Sequence, residues 1–204
     1  MYNFNFFLPT KVLFGAGRLN DLHAEPLPGK KALIAIGGQS VKKYGYLERL
    51  EKELDKAGVA HVLFEANPTR QNVMDGAKAV RDNGCDFVIA LGGGSVMDCT
   101  KCIALMAAND GDIWDYSLSV TGGKKAPEHP AIPIVCITTS AGTASEVDTA
   151  TVISDDEADE KTAIFDVSMF PTLSIVDSDL MMTVPPKFTA YQGMDAFFHA
   201  SETV

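Results

Sequence analysis

Apolar runs without polar alternation recur along the chain, each followed by a stretch with helical spacing. Lys31-Ala-Leu-Ile-Ala-Ile36 predicts a buried strand, and Gly37-Gly-Gln-Ser40 turns it into a helix near 41–57. Ala60-His-Val-Leu-Phe64 predicts a second strand, then a loop at Asn67-Pro68 and a helix near 70–83. Asp86-Phe-Val-Ile-Ala-Leu91 is a third, and Gly92-Gly-Gly-Ser95 opens a helix to about 108. Ile132-Pro-Ile-Val-Cys-Ile137 and Thr172-Leu-Ser-Ile-Val-Asp177 are the later strands of this kind. Strands that are apolar throughout and separated by helices predict an α/β fold, a parallel sheet covered by helices on both faces.

Two segments depart from that rhythm. Thr149-Ala-Thr-Val-Ile-Ser154 and Lys161-Thr-Ala-Ile-Phe165 flank the acidic stretch Asp155-Asp-Glu-Ala-Asp-Glu160. This predicts a hairpin with a solvated, charged tip rather than a cation site. Pro185-Pro186 breaks the chain and starts a last helix, which runs to the final residue. The division expected is 1–180 as a nucleotide-binding α/β domain and 181–204 as the start of a helical one.

Composition narrows the partners. A formal net charge of −10 repels phosphate backbones and anionic lipid, so neither nucleic acid nor a membrane surface is expected as a partner. No apolar run approaches the ~18 residues of a membrane span. The Met1–Pro9 segment lacks the charge pattern and cleavage site of a signal peptide. Four cysteines in 204 residues do not make a disulfide scaffold, and a reducing cytoplasm is expected.

The first candidate chemistry is Leu91-Gly-Gly-Gly-Ser-Val-Met-Asp98, where a strand meets a helix. Glycine lets backbone N–H groups come close to a ligand, and a helix N-terminus carries partial positive charge, so the turn suits a pyrophosphate. It lies at the carboxyl end of a parallel strand, where open α/β sheets bind ligands. It matches neither G-x-G-x-x-G, whose last glycine would fall at Met97, nor a P-loop. A purely structural turn is the alternative, with Ser95 as N-cap and Asp98 closing a capping box.

Asp195 and His199 are the second. Four residues apart on a helix, they share a face and could reach one cation, but a metal takes three or four protein ligands. A weak helix ion pair is the competing reading. Cys99-Thr-Lys-Cys102 falls inside the helix after the glycine turn and reads as packed thiols. His23, His61 and His129 each stand alone and read as surface or packed residues. Trp114 and Tyr116 are expected to pack in a loop.

Four stretches together resemble the iron-containing (group III) alcohol dehydrogenases. These are Pro9-Thr-Lys-Val-Leu-Phe-Gly-Ala-Gly17, Gly92-Gly-Gly-Ser-Val-Met-Asp-Cys-Thr-Lys101, Thr138-Thr-Ser-Ala-Gly-Thr-Ala-Ser-Glu146, and Pro185 through Glu202 with its Gly-Met-Asp-Ala-Phe-Phe-His. The resemblance implies a Rossmann-like nucleotide-binding domain followed by an all-helical domain. It also implies hydride transfer between a small alcohol or aldehyde and NAD or NADP, assisted by Fe²⁺ or Zn²⁺. Asp195 and His199 match the first two metal ligands of that family, and the other two would lie past Val204. The chain is then the N-terminal portion of a longer enzyme, weakly active or inactive by itself.

The same matching implies that Gly93, Gly94, Ser95 and Asp98 line the pyrophosphate and ribose. Thr138, Thr139 and Thr143 would approach the ribose and nicotinamide. Lys161 on the hairpin would contact the cofactor, and Asn67 would lie near the adenosine. Gly38 stands where NAD-preferring relatives carry an acidic residue, so NADP is favoured, with Ser40 and Lys43 as nearby donors. Glu65 is the rival ribose ligand, read here as a solvent-facing strand end. Ala144, Asp148 and Gln192 depart from the family pattern. A glycerol dehydrogenase-like or dehydroquinate synthase-like enzyme of the same fold is one alternative, and a non-catalytic dinucleotide-binding module another. A homodimer is expected from family habit.

Overall fold

The computed structural model describes residues 3, 5 and 7–202 of the chain. Met1, Tyr2, Phe4 and Phe6 of the segment read for a signal peptide, together with Thr203 and Val204, lie outside the described residues.

Six strands form one wholly parallel sheet: β1 (Lys11–Phe14), β2 (Lys31–Ile36), β3 (Ala60–Glu65), β4 (Phe87–Gly92), β5 (Ile134–Thr138) and β8 (Leu173–Val176). Their spatial order is β1-β8-β5-β4-β2-β3. β6 (Ala150–Asp155) and β7 (Glu160–Phe165) form a separate antiparallel hairpin. The helices are α1 (Ser40–Lys43), α2 (Tyr46–Ala57), α3 (Arg70–Asn83), α4 (Gly94–Ala108) and α5 (Pro186–Glu202). The expected Rossmann-like α/β sheet is the observed one.

The unbroken apolar runs are explained by two cores, one on each face of the sheet. Side chains of a strand alternate between faces. Ala32, Ile34, Ile36, Ile89, Leu91, Val135 and Ile137 therefore pack with Leu47, Leu50 and Leu54 of α2. Leu33, Ala35, Val88, Ala90 and Cys136 pack on the opposite face with α3 and α4. α4 is buried almost all round, because the hairpin covers its outer side through Ile153 and Ile164. At about 25 cal/mol per Å², burying side chains of this size contributes roughly 1.5–3 kcal/mol each, which outweighs the weak helix propensity of the thiols and β-branched residues in α4.

Some boundaries move for local reasons. The helix expected over 41–57 is two helices, because Gly45 takes a left-handed conformation (φ 73°) that no helix continues through. β5 begins at Ile134 rather than Ile132, since Pro133 has no N–H to offer the ladder. β1 carries only a short apolar run, Val12–Phe14. It is a four-residue edge strand of burial pattern exposed–exposed–buried–exposed, held in place by β8.

Candidate active site

The chain leaves β2 for β3 on one side and returns to β4 on the other, so a crevice opens beyond the carboxyl ends of β2 and β4. The glycine turn sits there. Gly93, in extended conformation, is the N-cap of α4, and no side chain caps the helix. This corrects the capping-box reading. Ser95 lies exposed inside the first turn, and the Asp98 carboxylate points sideways instead of back along the helix. It accepts from Ser145 Oγ at 2.7 Å and from the Val152 N–H at 2.9 Å. With no side chain spent on them, the helix N-terminal N–H groups can face an anion.

The glycines are also steric requirements. A Cβ on Gly93 would stand 2.8 Å from Ser140 Oγ, and one on Gly94 would stand 2.8 Å from Thr143 Cγ2. The turn after β4 and the loop after β5 therefore touch. Thr143 is exposed on that loop, and Thr139 lines a cavity of about 300 Å³ together with Ser40, Val41, Tyr44 and Gln192. Thr138 is different. It is buried, and its hydroxyl donates to the Ser140 carbonyl at 2.6 Å, so it shapes the loop from beneath. Gly38 and Ser40 are exposed just past β2, and Asn67 just past β3. Lys161 is exposed on β7, paired opposite Ser154, and the strand's alternation puts it on the same hairpin face as Ala150 and Val152. Those two line a second cavity of about 280 Å³ with Gly94, Ser95, Asp98 and Thr143.

His199 completes that second cavity. Its Nε2 lies 3.6 Å from Asp195 Oδ1. Asp195 Oδ2 presses on the loop after β5: a Cβ added to Gly142 would meet it at 2.6 Å. Gln192, two turns before His199 on α5, accepts from the Ala141 N–H at 3.2 Å. The two regions singled out from sequence thus meet across residues 138–143. An imidazole nitrogen and a carboxylate oxygen on one helix face are donors suited to Fe²⁺ or Zn²⁺. They fit as part of a ligand set: among the described residues no group of three or more His, Cys, Asp or Glu is placed to hold a metal.

A family model for iron-containing alcohol dehydrogenase matches residues 9–178. This chain belongs to that family. Among its curated relatives are a probable NADH-dependent butanol dehydrogenase 1 of Bacillus subtilis (39% identical, covering 99% of this chain and 52% of the relative) and the NADPH-dependent aldehyde reductase YqhD of Escherichia coli (36%, 99% and 52%). Among solved structures, NADH-dependent butanol dehydrogenase A of Thermotoga maritima superposes with a TM-score of 0.91 at 31% identity, over 98% of this chain and 50% of that one. The chain spans about half the length of the curated relatives it matches.

Within this member of the family, the side chains that sequence reasoning passed over are those joining α4 to the segment before the hairpin. Lys101 is fully buried, and its Nζ donates to Ser145 Oγ (2.9 Å), Asp148 Oδ1 (2.7 Å) and the Ala150 carbonyl (3.2 Å). Asp148 is thereby occupied. Burial pushes the Asp98 carboxyl above its ordinary range, opposed by the Ser145 and Val152 hydrogen bonds and the Lys101 charge. A signal for Lys101 existed: a lone cation among Val96–Ala108 must find partners if that helix is core.

The remaining candidates resolve structurally. Cys99 and Cys102 are buried free thiols, and burial pushes Cys102 up to about 12, so neither is a ready nucleophile or ligand. His23 and His61 lie against Glu53 and Glu51 of α2, at 2.5 and 3.6 Å. Trp114 and Tyr116 pack in a short 3₁₀ turn after α4, their polar atoms bonded to Thr121 and the Asp110 carbonyl. Glu65 is exposed and pairs with Lys42 at 3.0 Å. The hairpin's acidic tip is solvated from Asp156 to Asp159, while Glu160 is half-buried and accepts from Thr121 Oγ1 at 2.8 Å. Asp155 is buried and binds Arg70 at 2.8 Å, which ties the hairpin to α3. No helix among the described residues is long and apolar enough to cross a membrane.

Proposed function

We propose that this chain is the cofactor-binding portion of an NAD(P)-dependent alcohol dehydrogenase or aldehyde reductase, which moves hydride between a small primary alcohol or aldehyde and a nicotinamide. One observation carries the reading: the uncapped N-terminus of α4 and the Asp195–His199 pair face each other across the loop after β5, with His199 and Gly94, Ser95 and Asp98 around one cavity. A reaction between a nucleotide and a metal-held substrate requires these two elements side by side.

In this reading the first-turn N–H groups of α4 hold the pyrophosphate, with Thr139 and Thr143 as hydroxyl donors along the dinucleotide. Asp98, with both oxygens already fixed, accepts from a ribose hydroxyl. The cavity lined by Ser40, Tyr44 and Thr139 takes the adenosine end. Asp195 and His199 hold Fe²⁺ or Zn²⁺, which when bound supplies Lewis acidity to the substrate oxygen. Further ligands come from the rest of the enzyme. NADP is the preferred cofactor: Gly38 presents no carboxylate to repel a 2′-phosphate, and Lys43 lies over the Tyr44 ring at the cavity, 5.5 Å from its centre.

The test has two parts. Titration of the 204-residue chain with NADPH and with NADH, followed by nucleotide fluorescence, should give saturable binding with NADPH tighter. Binding of neither nucleotide overturns the reading. Aldehyde reduction should need the full-length enzyme and its metal; equal turnover by the 204-residue chain overturns the incomplete metal site.

A further inference from the structure

A leucine at position 101 would fill the depth of α4 without removing a charge from water, so the buried lysine there calls for a reason. We propose that Lys101 is a positioning residue: through Ser145 it orients the cavity-facing carboxylate of Asp98, and it clamps residues 145–150 onto α4. The inference rests on the cofactor-binding reading above and adds to it a residue that touches no ligand.

The direction of the hydrogen bonds follows from chemistry. An ammonium has three donors and no acceptor. Its three protons go to Ser145 Oγ, Asp148 Oδ1 and the Ala150 carbonyl. Ser145 Oγ therefore accepts from Lys101, and its single proton is left for Asp98 Oδ1, 2.7 Å away. The other Asp98 oxygen accepts from the Val152 N–H. Both carboxylate oxygens are thus anchored from the protein side, one of them by a relay whose direction Lys101 sets. The remaining lone pairs face the cavity shared with Gly94, Ser95 and Thr143. Asp148, the second carboxylate on the ammonium, is 41% exposed, so the buried charge is met from one side by the protein interior and from the other by a solvent-facing partner.

A purely structural role would also make Lys101 important, so the test must separate the two. The variants are K101M, S145A, D98N and K101M/D98N. The readouts are NADPH affinity by fluorescence and hydrogen exchange at the Val152 amide. K101M and S145A should each weaken NADPH roughly tenfold, the scale of one charge-assisted hydrogen bond, and should speed exchange at Val152. Adding K101M to D98N should cost little further affinity, because the group being oriented is already altered. S145A removes only a hydroxyl, so it carries the same expectation should K101M not fold. Unaltered affinity and Val152 protection in S145A overturn the proposal. So does a K101M loss of equal size with and without the Asp98 carboxylate, which would mark Lys101 as a packing residue alone. If the unaltered chain binds no NADPH, the parent reading falls and takes this one with it; if it binds and S145A binds equally, only this one falls.

Discussion

α4 and α5 both present polar groups to the same cavity, yet they are built in opposite ways. α4 is buried almost throughout, and its charged side chains, Asp98 and Lys101, are bonded into the protein. α5 has no buried residue, and Phe188, Tyr191, Met194, Phe197 and Phe198 are 52–61% exposed. It meets the rest of the structure chiefly through Gln192 and Asp195 at the loop after β5. The difference teaches that a cofactor clasp can be a by-product of the core, inheriting its rigidity. A ligand pair on a helix without buried residues has positions set by a few surface contacts only.

That contrast can be broken from either side. The largest effect is expected on α4. Lys101→Met leaves Asp98 and Asp148 without their cation and should destabilise the chain by about 3 kcal/mol, the low end for breaking a buried pair because Asp148 is partly solvated. Urea unfolding would read it. Gly142→Ala comes next. It places a Cβ at φ 110°, 2.6 Å from Asp195 Oδ2, and should cost about 1–3 kcal/mol while pushing the α5 carboxylate off the loop. A thermal melt gives the first effect and a structure of the variant the second. An unmoved Asp195 would show that α5 is held by something other than this loop.

Two smaller changes sharpen the comparison. Ala144 occupies a left-handed conformation (φ 54°) where the family pattern has glycine. Ala144→Gly should raise stability by up to about 1 kcal/mol, since relief of the steric cost exceeds the added freedom of the unfolded chain. Gln192→Ala should cost about 0.5–1 kcal/mol and speed exchange at the Ala141 amide. At the bottom of the scale, Phe197→Ser and Phe198→Ser should each change the stability of the 204-residue chain by less than about 0.5 kcal/mol. A larger loss from either would mean that α5 is packed in solution, and the contrast would dissolve.

Much of the fold was legible because burial on both faces leaves a direct trace in composition. β2, β4 and β5 are central strands, so every position after the opening Lys31 of β2 is apolar or small, and their runs stand out. The edge strand β1 leaves a weaker trace, three apolar residues of which only Leu13 is buried. The site was legible in parts. The triple glycine announced a close approach of backbone, but not that its neighbours would be Ser140 and Thr143, nearly fifty residues on in the chain. Thr138 and Thr139 are chemically the same side chain in sequence. In the fold, strand alternation buries the first and leaves the second lining a cavity. Asp155 was read with its acidic neighbours as solvent-facing, and pairing with Arg70 removed it from that set.

By itself the sequence determined which segments are buried, where strands pass into helices, and that Asp195 and His199 share a helix face, since all of these depend on local spacing and on the transfer of side chains from water. Only the tertiary structure decided which distant groups meet. Strand order put the turns after β4 and β5 side by side, and contact between α5 and residues 140–143 brought the donor pair to the glycine turn. The path of the hairpin chain over α4 gave Lys101 its three acceptors. Such encounters follow from how the backbone returns through space, and no local pattern of residue types encodes that return.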